Sequence, residues 1–535
     1  MFFVIEKIRF KNFRKFENTE INLNEDRNIL VGENGVGKSS ILLAIQLVLS
    51  GSDNLISVHG GLTSLMNSNA INNFLSKESK KIDDLPEMYV ELYFTEKDNF
   101  RIDGCRNSLK SQNSGIRLIA TYNRDYCKEI EKAINSGISF PFEYYSIKFE
   151  TFDGSNYSSY NRKHHLKYNL IDTSTINNKS AMSKFIHNLY YKQSKPEIRS
   201  KISHEFRELT EQFSRDMYDS YSMDRSNSEY QLKLDVQNNS DFSKDITAVK
   251  NGVRLCDAGQ GEQVILSVMA SNGGETEEET VLLIEEPENH LSYNNMQLLI
   301  HLLETLTNVS QTIIATHSSM IATRLDVSKL LMLSKTTDKI QKLENVSLET
   351  VSYFKKAPSN DFLKFLLANK VILIEGDAEY ILMDKFFEIL TKHRPYEEGI
   401  SIISCNGRSF KRYLEVAKKL NKKSVVITDN DSELKNNSNF VSVSENYENY
   451  INNICNVYTD SDSKNYTFEV SIYNNNSQLL ESEFKNKHMT NGLLSYMLSN
   501  KTDSALKLLT FLDTDKKYSF NIPNYIEEAI KWIRD

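Results

Sequence analysis

The chain of 535 residues has only five cysteines, Cys105, Cys127, Cys256, Cys405 and Cys455, and no two form a CxxC pair. Their scatter excludes a disulfide framework and a structural zinc site, and it fits a reducing, cytoplasmic setting. Long apolar runs are missing as well. No window approaches roughly 18 uninterrupted apolar residues, so no membrane span and no membrane partner is expected. The start, MFFVIEKIRFKNFRKF, alternates apolar and polar residues with basic interruptions. It reads as strands, not as the apolar core of a signal peptide. Positive charge is also short: 64 Lys and Arg stand against 72 Asp and Glu, for a net charge of −8. A nucleic-acid partner would have to be met by a local basic patch, because the bulk charge repels phosphate.

Hydrophobic residues make up 39% and charged residues 25%, enough apolar chain for a large core without crosslinks. The length predicts two to four domains at roughly 100–200 residues each. Residues 1–50 read strand, strand, Gly-rich turn, helix. Residues 281–316 repeat strand, helix, strand. A boundary is expected in KKAPSNDF near Pro358. Beyond it, the apolar runs 371–374, 401–404 and 424–428 alternate with helical segments, the pattern of a parallel α/β sheet. The predicted layout is an ATPase N-terminal lobe over 1–95, an insertion over 96–245, an ATPase C-terminal lobe over 246–355 and a second α/β domain over 366–535. Within the insertion, residues 181–222 carry helical periodicity and dense charge. They read either as a cover over the ATPase surface or as a dimerisation arm that buries Phe185, Leu189, Phe206 and Phe213.

Gly32-Glu33-Asn34-Gly35-Val36-Gly37-Lys38-Ser39 matches GxxxxGK[ST] in full, after an apolar strand and before a helix. The glycines let backbone N–H groups close around phosphate oxygens, and the helix N-terminus adds partial positive charge. The predicted ATP-binding set is Gly32, Asn34, Gly35, Gly37, Lys38, Ser39 and Ser40. Lys38 reaches the β- and γ-phosphates, and the Ser39 hydroxyl holds Mg²⁺. The strand 281–284 ends in Glu285 and Glu286. Glu285 is expected to hold Mg²⁺ through water and Glu286 to act as general base on the attacking water. His317, just past the strand 312–315, is placed to contact the γ-phosphate.

Ala258-Gly259-Gln260-Gly261-Glu262-Gln263 resembles the signature motif of ABC ATPases, which in that superfamily binds the γ-phosphate of a partner subunit. Gly259 stands in place of the usual serine and Gln260 in place of a glycine, so a hydroxyl donor is lost. Gly261 remains and is counted with the nucleotide-binding residues. With Lys11-Asn12-Phe13-Arg14 and Pro287-Glu288-Asn289-His290-Leu291, the set resembles the RecF/SMC branch of ABC ATPases. The stretch from Ser39 to Glu285 is too short for the long coiled-coil arms of SMC proteins, and no sustained heptads occur.

In the last third, one apolar strand ends in Glu375-Gly376 and another in Asp429-Asn430-Asp431. In an open parallel sheet, groups at the C-terminal strand ends share one crevice. Carboxylates crowded there repel one another unless cations sit among them, and an all-oxygen set suits Mg²⁺ or Mn²⁺. Glu379, one helical turn after Glu375, can face the same crevice. The predicted metal ligands are therefore Glu375, Glu379, Asp429 and Asp431.

This order of elements resembles the TOPRIM domain of topoisomerases, primases and related nucleases. Glu481 and Lys501 resemble further motifs of TOPRIM nucleases, which adds Glu481 to the expected metal ligands and Lys501 to the catalytic residues. An ABC-type ATPase head with a helical insertion, followed by a TOPRIM α/β domain, resembles the overcoming-lysogenization-defect (OLD) nuclease family. That family includes nucleases of the Gabija and retron anti-phage systems. The resemblance implies metal-dependent DNA cleavage, a homodimer or higher homo-oligomer built through the ATPase domain, and phage defence. It also implies a helicase or a retron reverse transcriptase with its msDNA as partner. Two other readings stay open from the residues: a topoisomerase-like strand-passage enzyme, and a non-enzymatic ATP-sensing scaffold.

Overall fold

A computed structural model describes residues 4–95, 101–136, 139–164, 166–173, 186, 190, 194–220, 246–250, 252–254, 257, 259–271, 280–306, 311–334, 340–343, 345–357, 361–405, 407, 409–430, 447–484 and 492–535. The chain divides into two compact units. The first holds Met1–His317 and Leu333–Ile340, and the second Ser318–Met332 and Gln341–Asp535.

Besides the short pairing of Val249–Lys250 with Val253–Arg254, the first unit contains two sheets among the described residues. One is antiparallel, with strands in the order Phe16–Asn22, Ile5–Phe13, Met88–Phe94, Asn113–Tyr122 and Tyr145–Thr151. The even spacing of Ile8 and Phe10 puts both, fully buried, on the inner face of the first hairpin. The other sheet aligns Arg27–Val31, Gln311–Thr316, Thr280–Glu285 and Lys167–Asp172 in parallel. Ile29, Leu30, Val31, Leu282, Leu283, Ile284, Ile313 and Ile314 are all fully buried. These strands are covered on both faces, which is why they read as continuous apolar runs.

These pairings correct the expected insertion over 96–245. Residues 113–122 and 145–151 complete the antiparallel sheet, and 167–172 lies beside the acidic strand 280–285. They lie in a stretch whose overall composition is polar and Asn-, Ser- and Tyr-rich, which masks their own apolar alternation. Of the expected 181–222 element, a helix spans Pro196–Ser220. Phe185 and Leu189 lie outside the described residues.

The second unit is built on four parallel strands in the order Ile400–Ser404, Lys370–Ile374, Lys423–Ile427 and Cys455–Tyr458. Ile372, Ile374, Val425 and Ile427 share one core with Leu382, Phe386, Ile526 and Ile530 from the helices Asp377–Thr391 and Asn524–Arg534. A second apolar cluster stacks Phe354, Phe362, Phe365 and Tyr413. The unit begins earlier than the expected 366, because 318–332 and 341–357 pack with it. No helix among the described residues is long and apolar enough to cross a membrane.

Candidate functional site

The two units carry one candidate site each. In the first, the turn 32–37 runs from the strand Arg27–Val31 into the helix Lys38–Ser50. Gly35 and Gly37 have φ of +76° and +98°, the left-handed region where only glycine is unstrained. A Cβ at Gly37 would also meet the Phe16 ring at 2.8 Å. Lys38 Nζ donates to the carbonyls of Gly32 at 2.8 Å and Glu33 at 3.0 Å. Burial pushes its pKa down to about 8, against the opposing pull of Glu286, Glu288 and Glu285.

Glu285 accepts a hydrogen bond from the Ser39 hydroxyl, the pairing expected of two groups that share a magnesium ion. Burial raises the Glu285 pKa, and Asp172 and Glu286 add to the rise. Asp172 stands directly beside Glu285 in the strand register and extends the acidic set. No local pattern marks it in the sequence. Arg14, from the first hairpin, reaches Ser40 Oγ at 3.5 Å, and its charge acts on Glu285.

Glu286 has a φ of +45°, a left-handed conformation at a non-glycine residue, of a kind that recurs at functional sites. Its carboxylate lies 3.4 Å from His317 Nε2 and accepts from Asn289 Nδ2 at 3.0 Å. Glu288 accepts from Thr316 Oγ1 at 2.8 Å and from the His317 backbone N–H at 2.6 Å, and so holds the loop that carries the histidine. Glu286, His317, Lys38 and Ser39 thus lie close together in this unit. Gly261 has a packing reason of its own. It opens the helix Gln260–Ser271, and a Cβ there would come within 2.6 Å of the His290 carbonyl.

In the second unit, Glu375 and Asp429 follow the neighbouring strand ends Ile374 and Ile427, which pair in register. Thr428 Oγ1 donates to Glu375 Oε2 at 3.0 Å. Glu379, in the first turn of the helix Asp377–Thr391, is 9% exposed. Burial pushes its pKa up to about 7, with Glu469 and Glu375 adding to the effect and Lys501 opposing it. Asp429 is pushed up to about 8 by burial and by Glu375, Glu379 and Glu469. Asp429 Oδ1 also accepts from Phe468 N at 2.8 Å, at the start of the helix Phe468–Phe484.

Glu469 is a residue of this cluster that the sequence reading missed. It is buried and pairs with Lys501 Nζ at 2.9 Å. Burial pulls the Lys501 pKa down, but the bond to Glu469 and the charges of Asp429 and Glu379 raise it overall. Glu481, expected as a ligand, accepts from Tyr473 Oη at 2.8 Å through one carboxylate oxygen. Both acids sit on one kinked helix, with a break at Asn476. The available signal was an acid in the first turn of an apolar helix, which is weak by itself. Asp431 lies outside the described residues.

The donor chemistry, four carboxylates and a hydroxyl, fits a hard divalent cation. Among the described residues no three such side chains are already closed around a single metal position. Crowded carboxylates of raised pKa are held apart by repulsion until protons or cations neutralise them.

Residues 4–322 match the AAA ATPase domain family, and residues 366–431 match the overcoming lysogenization defect protein-like TOPRIM domain. No curated protein matches the chain significantly. Among solved structures, the SMC head domain from Thermotoga maritima is 15% identical, with a TM-score of 0.30, over 64% of this chain and 99% of its own. The recombination mediator protein RecF bound to ATP is 13% identical, with a TM-score of 0.31, over 64% and 99%. The C-terminal region of the Burkholderia pseudomallei OLD protein is 22% identical, with a TM-score of 0.23, over 32% and 98%. Likenesses this distant carry no argument here, whereas the AAA match covers more than half of the chain. The chain belongs to the AAA ATPase domain family and carries an OLD-like TOPRIM domain.

Proposed function

We propose that the chain is an ATP-regulated, divalent-metal-dependent DNA endonuclease that acts in anti-phage defence from the cytoplasm as a homo-oligomer. The observation that carries the reading is the cluster of Glu375, Glu379, Asp429 and Glu469 beside Lys501. Glu375, Glu379, Asp429 and Glu469 would hold Mg²⁺ or Mn²⁺, with Asp431 as a further candidate ligand. Ser39, Glu285 and Asp172 would hold the Mg²⁺ that accompanies ATP. When bound, the ions supply Lewis acidity that activates water and stabilises a leaving 3′ oxygen. Lys501 lies where it can neutralise charge that develops on the scissile phosphate. In the ATPase site, Lys38 grips the β- and γ-phosphates. Glu286 takes the proton of the attacking water, and His317 orients Glu286 through their contact. The Gly261 helix would serve the nucleotide of a second subunit.

The test is plasmid cleavage with Mg²⁺ or Mn²⁺, with and without ATP, resolved on gels run before and after protease. The expected result is cleaved DNA with protein-free ends, lost in Asp429→Ala while ATP binding persists. Ends linked to a tyrosine would establish strand passage instead. Absence of cutting under every metal would leave the scaffold reading. Full cleavage by Asp429→Ala would move the metal site elsewhere.

A further inference from the structure

Asn430, between the two acids of the DxD motif, turns away from phosphate chemistry and into the protein. Its side-chain amide donates to the backbone carbonyls of Asp460 and Asp462, each at 3.0 Å. Those carbonyls belong to the loop between the strand Cys455–Tyr458 and the helix Phe468–Phe484. The Asp460 carboxylate organises the same loop. One oxygen accepts from Asp462 N at 3.0 Å, and the other accepts from Asn465 Nδ2 at 2.9 Å and Ser471 Oγ at 2.5 Å. Three donors fill this carboxylate, so it acts as a hub for the loop. Ser471 lies two residues past Glu469 on the first turn of the helix. The neighbouring Asp429 accepts from Phe468 N, one residue before Glu469. The segment Asp429–Asn430 is therefore tied to the helix on both sides of Glu469: directly at Phe468, and through Asp460 at Ser471.

We propose that Asn430 is a positioning residue, which through the Asp460 loop and Ser471 sets the spacing between the Asp429 and Glu469 carboxylates and thereby the affinity of the site for divalent cations. The inference rests on the reading of this cluster as a metal site. In this role the Asn430 amide holds the Asp460 and Asp462 carbonyls and is not a ligand of the ion. Its role is to keep two mutually repelling carboxylates at a fixed separation, so that cation binding does not also have to order the loop. Groups that orient ligands without coordinating typically change metal affinity by roughly 10- to 100-fold when removed.

Asn430→Asp gives the decisive test, because two effects act with opposite sign. The added negative charge strengthens attraction for a divalent cation by Coulomb's law alone. The same change replaces a double donor with an acceptor that faces two carbonyls, which breaks the clamp. The measurement is Mn²⁺ binding to the full-length, nucleotide-free chain by electron paramagnetic resonance titration. The portion lost in Asp429→Ala defines binding at this site. The expected result is affinity weakened by about 10-fold or more in Asn430→Asp. Ser471→Ala, which leaves net charge unchanged, should weaken binding in the same direction. Unchanged ATP affinity confirms an intact first unit, and circular dichroism melting reports whether each variant folds. Equal or tighter Mn²⁺ binding by Asn430→Asp overturns the proposal. If that variant fails to fold, Ser471→Ala decides alone, and wild-type affinity there overturns it. Absence of Mn²⁺ binding in the unaltered chain overturns the metal-site reading together with this one, whereas normal binding with insensitive variants overturns this one only.

Discussion

At the scale of the residue, the depressed pKa of Lys38 links nucleotide binding to pH. Burial holds the amine at about 8, and the phosphates of bound ATP would favour the cation and raise it. Binding then takes up a proton wherever the free lysine is neutral. The affinity for ATP is flat below pH 8 and falls as pH rises through it, with the dissociation constant about tenfold larger at pH 9 than at pH 7. Fluorescent-nucleotide titration over that range checks this, and Lys38→Met should bind weakly and without the pH dependence. A flat profile in the unaltered chain would remove Lys38 from the phosphate site. Glu286 makes a second residue-scale prediction. Glu286→Gln preserves the shape and the neighbours His317 and Asn289 but removes the base. ATP should still bind, with turnover reduced roughly 10²-fold or more, as for loss of a general base. Phosphate release at an undiminished rate would assign the proton transfer to another group.

At the scale of the element, glycine positions show where backbones approach too closely for a side chain. The Gln260–Ser271 helix begins against the His290 carbonyl, itself at a φ of +63°. Gly261→Ala forces a Cβ into a 2.6 Å contact with that carbonyl. Overpacking of this kind costs about 1–3 kcal/mol, so the melting temperature should fall and ATP turnover with it, through displacement of the loop 286–291. A variant that melts and turns over ATP like the unaltered chain would show that the helix start can shift freely. The motif elements themselves were legible. The P-loop strand and helix, the acidic strand 280–285 and the three strands at 370–374, 400–404 and 423–427 all lie where apolar runs and turn residues place them. Each of these is buried on both faces, which makes its apolar run continuous. Strands 113–122 and 145–151 carry the alternation of half-buried strands, as in Tyr145, Ile147 and Phe149 against Ser146, Lys148 and Glu150, but they hold no motif and sit in a polar, Asn-, Ser- and Tyr-rich stretch that hid them.

At the scale of the whole molecule, the helix Pro196–Ser220 carries apolar residues that are exposed among the described residues. Leu209 is 65% and Phe213 58% exposed, and with Ile198, Ile202 and Phe206 they follow helical spacing along one stripe. If this stripe is the contact of the proposed homo-oligomer, Leu209→Asp with Phe213→Asp should lower the mass measured by light scattering to that of a smaller assembly. Melting behaviour should stay unchanged, because both side chains are exposed among the described residues. An unaltered mass would place the oligomer contact on another surface.

The P-loop turn was determined by the sequence alone, because it is contiguous: eight successive residues dictate both the turn and the direction of its N–H groups. The pairing of Glu375 with Asp429 was also within reach of the sequence, since parallel strands bring their C-terminal ends to one edge. The tertiary structure decided the remainder. It put Asp172 beside Glu285, chose Glu469 over Glu481 as the neighbour of Asp429, and tied Asn430 to the loop before Glu469. Each of these contacts joins segments distant along the chain, and an acid carries the same local signature whether or not its helix turns it toward the other carboxylates. Only the packing of that helix against the sheet selects between the two.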